Sequence, residues 1–131
     1  MRAEDLKYSK DHIWVAVEGD FARMGITDHA QRELGDVVFM DLPVVGRNCA
    51  QGEVAGSIES SKTTNDVYTP LSGEVVEINS GVQDKPDTVN SDPLGEGWLF
   101  RLRLSAPDEL KQLMDFQAYQ DFVRLAPGGT P

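Results

Sequence analysis

Residues Trp98-Leu99-Phe100-Arg101-Leu102-Arg103-Leu104 alternate at a period of two, which sorts apolar and charged side chains onto opposite faces only if the backbone is extended. Phe100, Leu102 and Leu104 are expected to face a core, and Arg101 and Arg103 to face water. The same period runs through His12-Ile13-Trp14-Val15-Ala16-Val17-Glu18, about Ile13, Val15 and Val17. A third stretch, Val37 to Leu42, is β-branched and aromatic and stops at Pro43. Strand patterning therefore dominates the first three quarters of the chain, and the expected fold is mainly β.

Helical signals are short. Thr27 or Asp28 can cap a helix over Ala30 to Leu34 that stops at Gly35. A second begins at Pro107, with Asp108 and Glu109 in its first turn and Leu110, Leu113 and Met114 on one face. Asp115 can cap a further stretch through Tyr119, Phe122 and Val123. Residues 1–125 are expected to form one domain, with 126–131, rich in Pro and Gly, as a disordered tail.

Charge narrows the function classes. Twenty-two acidic against twelve basic residues give a net charge of -10, which argues against nucleic-acid and membrane-surface binding and points to partners with basic docking surfaces. No apolar run approaches the roughly 20 residues needed to span a bilayer, and no signal-peptide core follows Met1, so a cytoplasmic location is expected. The single cysteine, Cys49, cannot close an intramolecular disulfide and reads as a small buried apolar residue.

The stretch Ile58-Glu59-Ser60-Ser61-Lys62-Thr63-Thr64-Asn65-Asp66-Val67-Tyr68 reads as a strand, a polar turn carrying a lysine, and a second strand, followed by a Pro70 and Gly73 corner. Taken alone, such a lysine is a solvated charge that keeps a hairpin soluble. Gly52-Glu53-Val54 recurs as Gly73-Glu74-Val75, one copy on each side of Lys62, as though two arms were related by an approximate two-fold. Val54, Ile58, Val67, Tyr68 and Val75 are expected to anchor those arms.

Several segments, in order, resemble the H protein of the glycine cleavage system, a lipoyl carrier of the biotinyl/lipoyl-attachment kind. They are Lys7 to His12, Gly25 to Gln31, Leu34 to Phe39, Leu42-Pro43, Glu59 to Lys62, Tyr68 to Gly73, Val89 to Pro93 and Gly97-Trp98. The resemblance implies a barrel-sandwich hybrid with a short internal helix and C-terminal helices. It places the lipoate attachment on Lys62, recognition by the lipoylating enzyme on Glu59 and Gly73, and a resting pocket for the arm beside Asp66. It implies a non-enzymatic carrier, loaded by a lipoate ligase or lipoyl transferase. An amide to lipoate removes the lysine charge and makes its stem the base of a long arm whose dithiolane sulfurs exchange groups.

The chain departs from the family pattern at the arm and its pocket. Ile13 stands where the family has a glutamate, Ser61 and Thr63 flank the lysine in place of valine and a small residue, and Leu94 replaces a tyrosine. An isoleucine cannot stabilise a cationic aminomethyl group as a carboxylate does. Ile13 therefore tilts expectation toward the H-protein-like lipoate-binding proteins that serve a heterodisulfide-reductase-like complex in sulfur oxidation. The alternative is glycine cleavage itself, with glycine decarboxylase, aminomethyltransferase and dihydrolipoamide dehydrogenase as partners.

Other chemistries fit less well. A biotin carrier would flank its lysine with methionines, and no serine lies in a nucleophile elbow. His12 and His29 lack companions at metal-ligand spacing and read as structural. An unmodified binding scaffold is the remaining alternative.

Overall fold

A computed structural model describes residues 2–125, so the expected disordered tail at 126–131 lies outside the described residues. Among the described residues nine strands form two antiparallel sheets. The larger contains β1 (Lys7–Tyr8), β2 (Ile13–Glu18), β3 (Phe21–Ile26), β9 (Phe100–Leu104), β8 (Gly73–Ile78) and β5 (Asn48–Cys49), in that spatial order. The smaller contains β4 (Val37–Asp41), β6 (Val54–Ser60) and β7 (Thr64–Tyr68), again in that order. The mainly β sandwich with short helices is the fold that the patterning and the resemblance imply.

The main core lies between the sheets. Val15, Ala22, Met24, Val75, Phe100 and Leu102 of the larger sheet meet Met40, Ile58 and Val67 of the smaller. Period-two burial on β9 matches expectation: Phe100 and Leu102 are buried, while Arg103 is exposed and Arg101 only partly covered.

Strand β2 differs from its expected pattern. Its Ile13 and Val15 enter the main core, but Trp14 and Ala16 on the opposite face are also buried, and Val17 is exposed. The cause is a second cluster, in which Leu6, Tyr8, Trp14, Ala16 and Tyr119 are covered by the C-terminal segment through Phe116, Phe122 and Val123. Trp14 lies so close to Gly25, its ladder neighbour, that a Cβ there would stand 2.7 Å from the indole. The indole Nε1 donates to the Pro93 carbonyl at 2.8 Å.

Helix α1 (Asp28–Leu34) begins at Thr27, whose hydroxyl accepts from the Ala30 amide at 3.2 Å, and ends at Gly35 with φ 79°. Helices α2 (Ser80–Asp84) and α3 (Thr88–Ser91) fill the connection from β8 to β9. Pro107–Gln112 is a 3-10 helix, and α4 (Phe116–Leu125) follows, with Asp115 accepting from the Ala118 amide at 2.8 Å. Among the described residues no helix is long and apolar enough to cross a membrane.

The repeated Gly-Glu-Val triplets are not equivalent, which corrects the two-fold reading. Gly52 sits in a turn at φ 88°, whereas Gly73 opens a buried strand. Val75 is fully buried, but Val54 is exposed and pairs with exposed Tyr68 at the far end of the hairpin. Of the five expected anchors Ile58, Val67 and Val75 are buried, and Ala55 of β6 is buried with them.

Candidate functional site

Strands β6 and β7 pair Ser57 with Asp66, Ile58 with Asn65 and Glu59 with Thr64, which places Lys62 at the exposed tip of the loop that joins them. Ser60, 6% exposed, organises that tip. Its hydroxyl oxygen lies 3.2 Å from the Lys62 amide and 3.1 Å from the Thr63 amide, accepting from both, and it donates to the Thr63 carbonyl at 3.2 Å. The Ser60 amide donates to the same carbonyl at 2.8 Å, and the Ser61 amide to the Asp36 carbonyl at 2.9 Å.

The lysine stem runs over Gly35, where a Cβ would approach Lys62 Cε to 3.0 Å. Glycine is required there twice, for its positive φ and for this close approach. Asn90 straps the segment beneath: its amide donates to the Gly35 carbonyl at 2.8 Å and to Gln31 at 3.0 Å, and its oxygen accepts from the Val37 amide at 2.9 Å. The tip is thus fixed at its backbone while the ammonium end reaches solvent.

Beside the tip lies a cleft of about 340 Å³ that begins at Thr63. Ile13, Ile26, Leu34, Ile58 and Val67 give it an apolar wall, and Asp66, Asn65, Glu33 and Asp11 give it a polar rim. Ile13 is 2% exposed and belongs to the main core, so the wall is rigid. His12, at φ 64°, and His29 complete the lining, with ring centroids 4.8 Å apart. A hydrogen-bonded chain links the His12 Nδ1, the Tyr119 hydroxyl and the Thr27 hydroxyl at 2.7 and 2.8 Å. Burial, and then the neighbouring His29, hold the His12 pKa below its ordinary value. Burial pushes the Tyr119 hydroxyl up to about 12. Such a cleft suits a flexible chain with an apolar body and a polar or cationic end.

The structure brings Lys62, Glu59 and Asp66 onto one hairpin, with Glu59 exposed on β6 and Asp66 on the cleft rim. Gly73 is not among them. It lies buried in the other sheet, where a Cβ would meet the Arg103 carbonyl oxygen at 2.3 Å. Ser60 and Asn90 fall within segments that carry the resemblance, but no structural role for either is expected from the sequence. Ser60 shares the inward phase of Ile58, a legible signal, whereas the Asn90 contact depends on tertiary placement. Among the described residues no group of three His, Cys, Asp or Glu side chains could hold a metal ion.

Residues 6–125 match the sequence family described as Glycine cleavage H-protein. This chain belongs to that family. It is 54% identical to the glycine cleavage system H protein of Thermotoga maritima over 116 residues, 88% of this chain and 94% of the relative. It is 52% identical to that of Symbiobacterium thermophilum over 120 residues, 92% of this chain and 94% of the relative. Among solved structures, the crystal structure of the glycine cleavage system H protein from Mycobacterium marinum superposes with a TM-score of 0.86 at 38% identity, covering 93% of this chain and 98% of that one. H proteins of this family carry lipoate covalently on a lysine. The tilt toward a sulfur-carrying system, drawn from Ile13, finds no support in these relatives, each of which is named for glycine cleavage.

Proposed function

We propose that the chain is a lipoyl carrier of glycine cleavage, with Lys62 as the attachment residue, carrying an aminomethyl group from glycine decarboxylase to aminomethyltransferase and then presenting the emptied dithiol arm to dihydrolipoamide dehydrogenase for reoxidation. The observation that carries this reading is identity of about half the residues, along most of the chain, to proteins bearing that name. The site fits the group: Lys62 stands on a backbone pinned by Ser60, and its stem has a clear path over Gly35. Lipoate supplies a dithiolane that accepts and releases groups by thiol exchange.

The chain's own residues hold and shelter. Glu59 presents a carboxylate one strand position from the loop, open to a lipoylating enzyme. Asp66, on the cleft rim, offers a counter-charge to a cationic end, and Ile13 with Ile58 and Val67 excludes water from the apolar stem. Gly73 acts through backbone packing, keeping β8 against β9. A carrier of this kind raises the effective concentration of its arm at each docked enzyme.

Reconstitution tests the reading. Lipoylated chain should support glycine-dependent carbon dioxide exchange by glycine decarboxylase, and Lys62→Arg should abolish both lipoylation and exchange. Exchange by the Lys62→Arg chain, or none by a fully lipoylated wild type, contradicts it.

A further inference from the structure

His12 holds a left-handed backbone, φ 64°, in the turn before β2, and that turn is built to keep it there. Its amide donates to the Ser9 carbonyl at 3.1 Å, and the Thr27 amide donates to the His12 carbonyl at 3.1 Å. The Ser9 hydroxyl accepts from the Asp11 and Ile13 amides, each at 3.2 Å. A side chain at positive φ carries strain that glycine would avoid, and strain of this kind collects at functional sites. Here it sets an imidazole in the cleft, whose lining it shares with Asp11, His29 and Glu33.

The two ring nitrogens differ in their partners. Nδ1 lies 2.7 Å from the Tyr119 hydroxyl, which lies 2.8 Å from the Thr27 hydroxyl, while Nε2 has no hydrogen-bond partner among the described residues. Tyr119 is fixed by burial and by stacking on Tyr8 at 4.6 Å, and buried Thr27 is fixed as the cap of α1. The Tyr119 hydroxyl, between two partners, donates to one and accepts from the other. When it donates to Thr27, Nδ1 carries the imidazole proton and Nε2 keeps a lone pair. When it donates to Nδ1 and accepts from Thr27, the proton stands on Nε2. The chain thus accommodates either tautomer with its heavy atoms in place. Burial and His29 hold the His12 pKa below its ordinary value, so the ring is neutral at pH 7.

We propose that His12 is a positioning residue for the loaded arm: Nε2 accepts a hydrogen bond from the cationic end, while Nδ1 donates to Tyr119 and Tyr119 donates to Thr27. Selection of a cationic cargo is then shared between Asp66, on β7 of the smaller sheet, and a neutral base at the start of β2 in the larger one. Ile13 fits this arrangement. A carboxylate at that 2% exposed position would be costly to bury, whereas the adjacent imidazole supplies an acceptor without a charge. The assignment rests on the carrier reading and adds to it the group that meets the cargo.

The test is heteronuclear NMR of the full chain, lipoylated on Lys62 and isotope-labelled in its histidine rings. The reduced arm is alkylated with bromoethylamine, which forms a thioether ending in an ammonium and releases bromide, or with bromoethanol, which leaves a neutral end. The ring-nitrogen shifts should place the His12 tautomer ratio at least about tenfold further toward Nδ1–H with the ammonium arm than with the hydroxyl arm. Tyr119→Phe, which keeps the ring on Tyr8, should abolish that difference and reduce seating of the ammonium arm, read from the Ile13 and Val67 methyl shifts. His12→Asn, which tolerates the positive φ, repeats the seating measurement if Tyr119→Phe does not fold. A purely structural role would lower the melting temperature without distinguishing the two arms. Equal tautomer ratios for the two arms, His12 held as Nε2–H beside the ammonium arm, or seating indifferent to these substitutions overturns the proposal. In those cases exchange by the lipoylated wild type would still uphold the carrier reading, whereas a Lys62 that takes no lipoyl group removes both.

Discussion

Gly73→Ala separates packing from recognition. A methyl group at Gly73 would stand 2.3 Å from the Arg103 carbonyl oxygen and 3.3 Å from Leu102 Cβ. Ordinary contact demands that β8 and β9 part by roughly 1.1 Å at a buried ladder position, and overpacking of this kind costs about 1–3 kcal/mol. The obstacle is backbone rather than a flexible side chain, which points to the upper end of that range. At roughly 3–4 °C per kcal/mol for a domain of this size, the melting temperature should fall by about 10 °C. Thermal melts by circular dichroism measure the shift, and mass spectrometry measures lipoylation of Lys62 at 25 °C, where the variant should remain folded and be modified at close to the wild-type rate. A melting temperature within about 2 °C of wild type combined with loss of lipoylation would refute the packing argument and make Gly73 a contact of the modifying enzyme.

Other perturbations follow from the same geometry. Ser60→Ala removes the acceptor for the Lys62 and Thr63 amides, and should lower stability by about 1–2 kcal/mol and slow lipoylation, read by melts and by timed mass spectra. Glu59→Gln keeps the strand and removes an exposed charge, so lipoylation should slow with the melting temperature within about 2 °C of wild type; a normal rate would remove Glu59 from recognition. Burial places the His12 pKa in the folded chain below its unfolded value, so acidification protonates the unfolded chain first, and stability should fall from pH 7.5 to pH 5.5. His12→Asn, which tolerates the positive φ, should flatten that part of the pH profile measured by denaturant titration. Ile13→Glu puts a carboxylate at a 2% exposed position, so its stability penalty should be larger at pH 7 than at pH 4, as measured by melts at both.

The legible parts of the fold were those with local causes. Phe100 and Leu102 announce a half-buried strand by alternation, Thr27 and Gly35 bracket a helix by capping chemistry, and the Lys62 turn stands out between two strand patterns. Trp14 and Ala16 could not be placed from β2 alone, because their burial is supplied by Phe116, Tyr119 and Phe122 about a hundred residues later. The Gly52 and Gly73 triplets misled for a related reason: one glycine answers a turn's positive φ and the other a neighbouring strand's carbonyl, and a three-letter repeat does not distinguish them. The site divides in the same way. Lys62 stands on a turn between two strand patterns, and Glu59 and Asp66, which only the resemblance names, lie on the same continuous hairpin, whereas the cleft wall draws on β2, β3, α1, β6 and β7. Ile13 lines the cleft where the resemblance implies a carboxylate, and its burial in the core gives it a packing role as well.

The central claim, a lipoyl arm on Lys62, is tested most directly by intact mass and peptide mapping of the protein purified from its own organism. The account predicts a lipoyl increment and a tryptic peptide that begins at Asn48 and runs uncut through Lys62, because an acylated lysine is not cleaved. An unmodified Lys62 in cells metabolising glycine, or a lipoyl group on Lys7, Lys10, Lys85 or Lys111 instead, would contradict it.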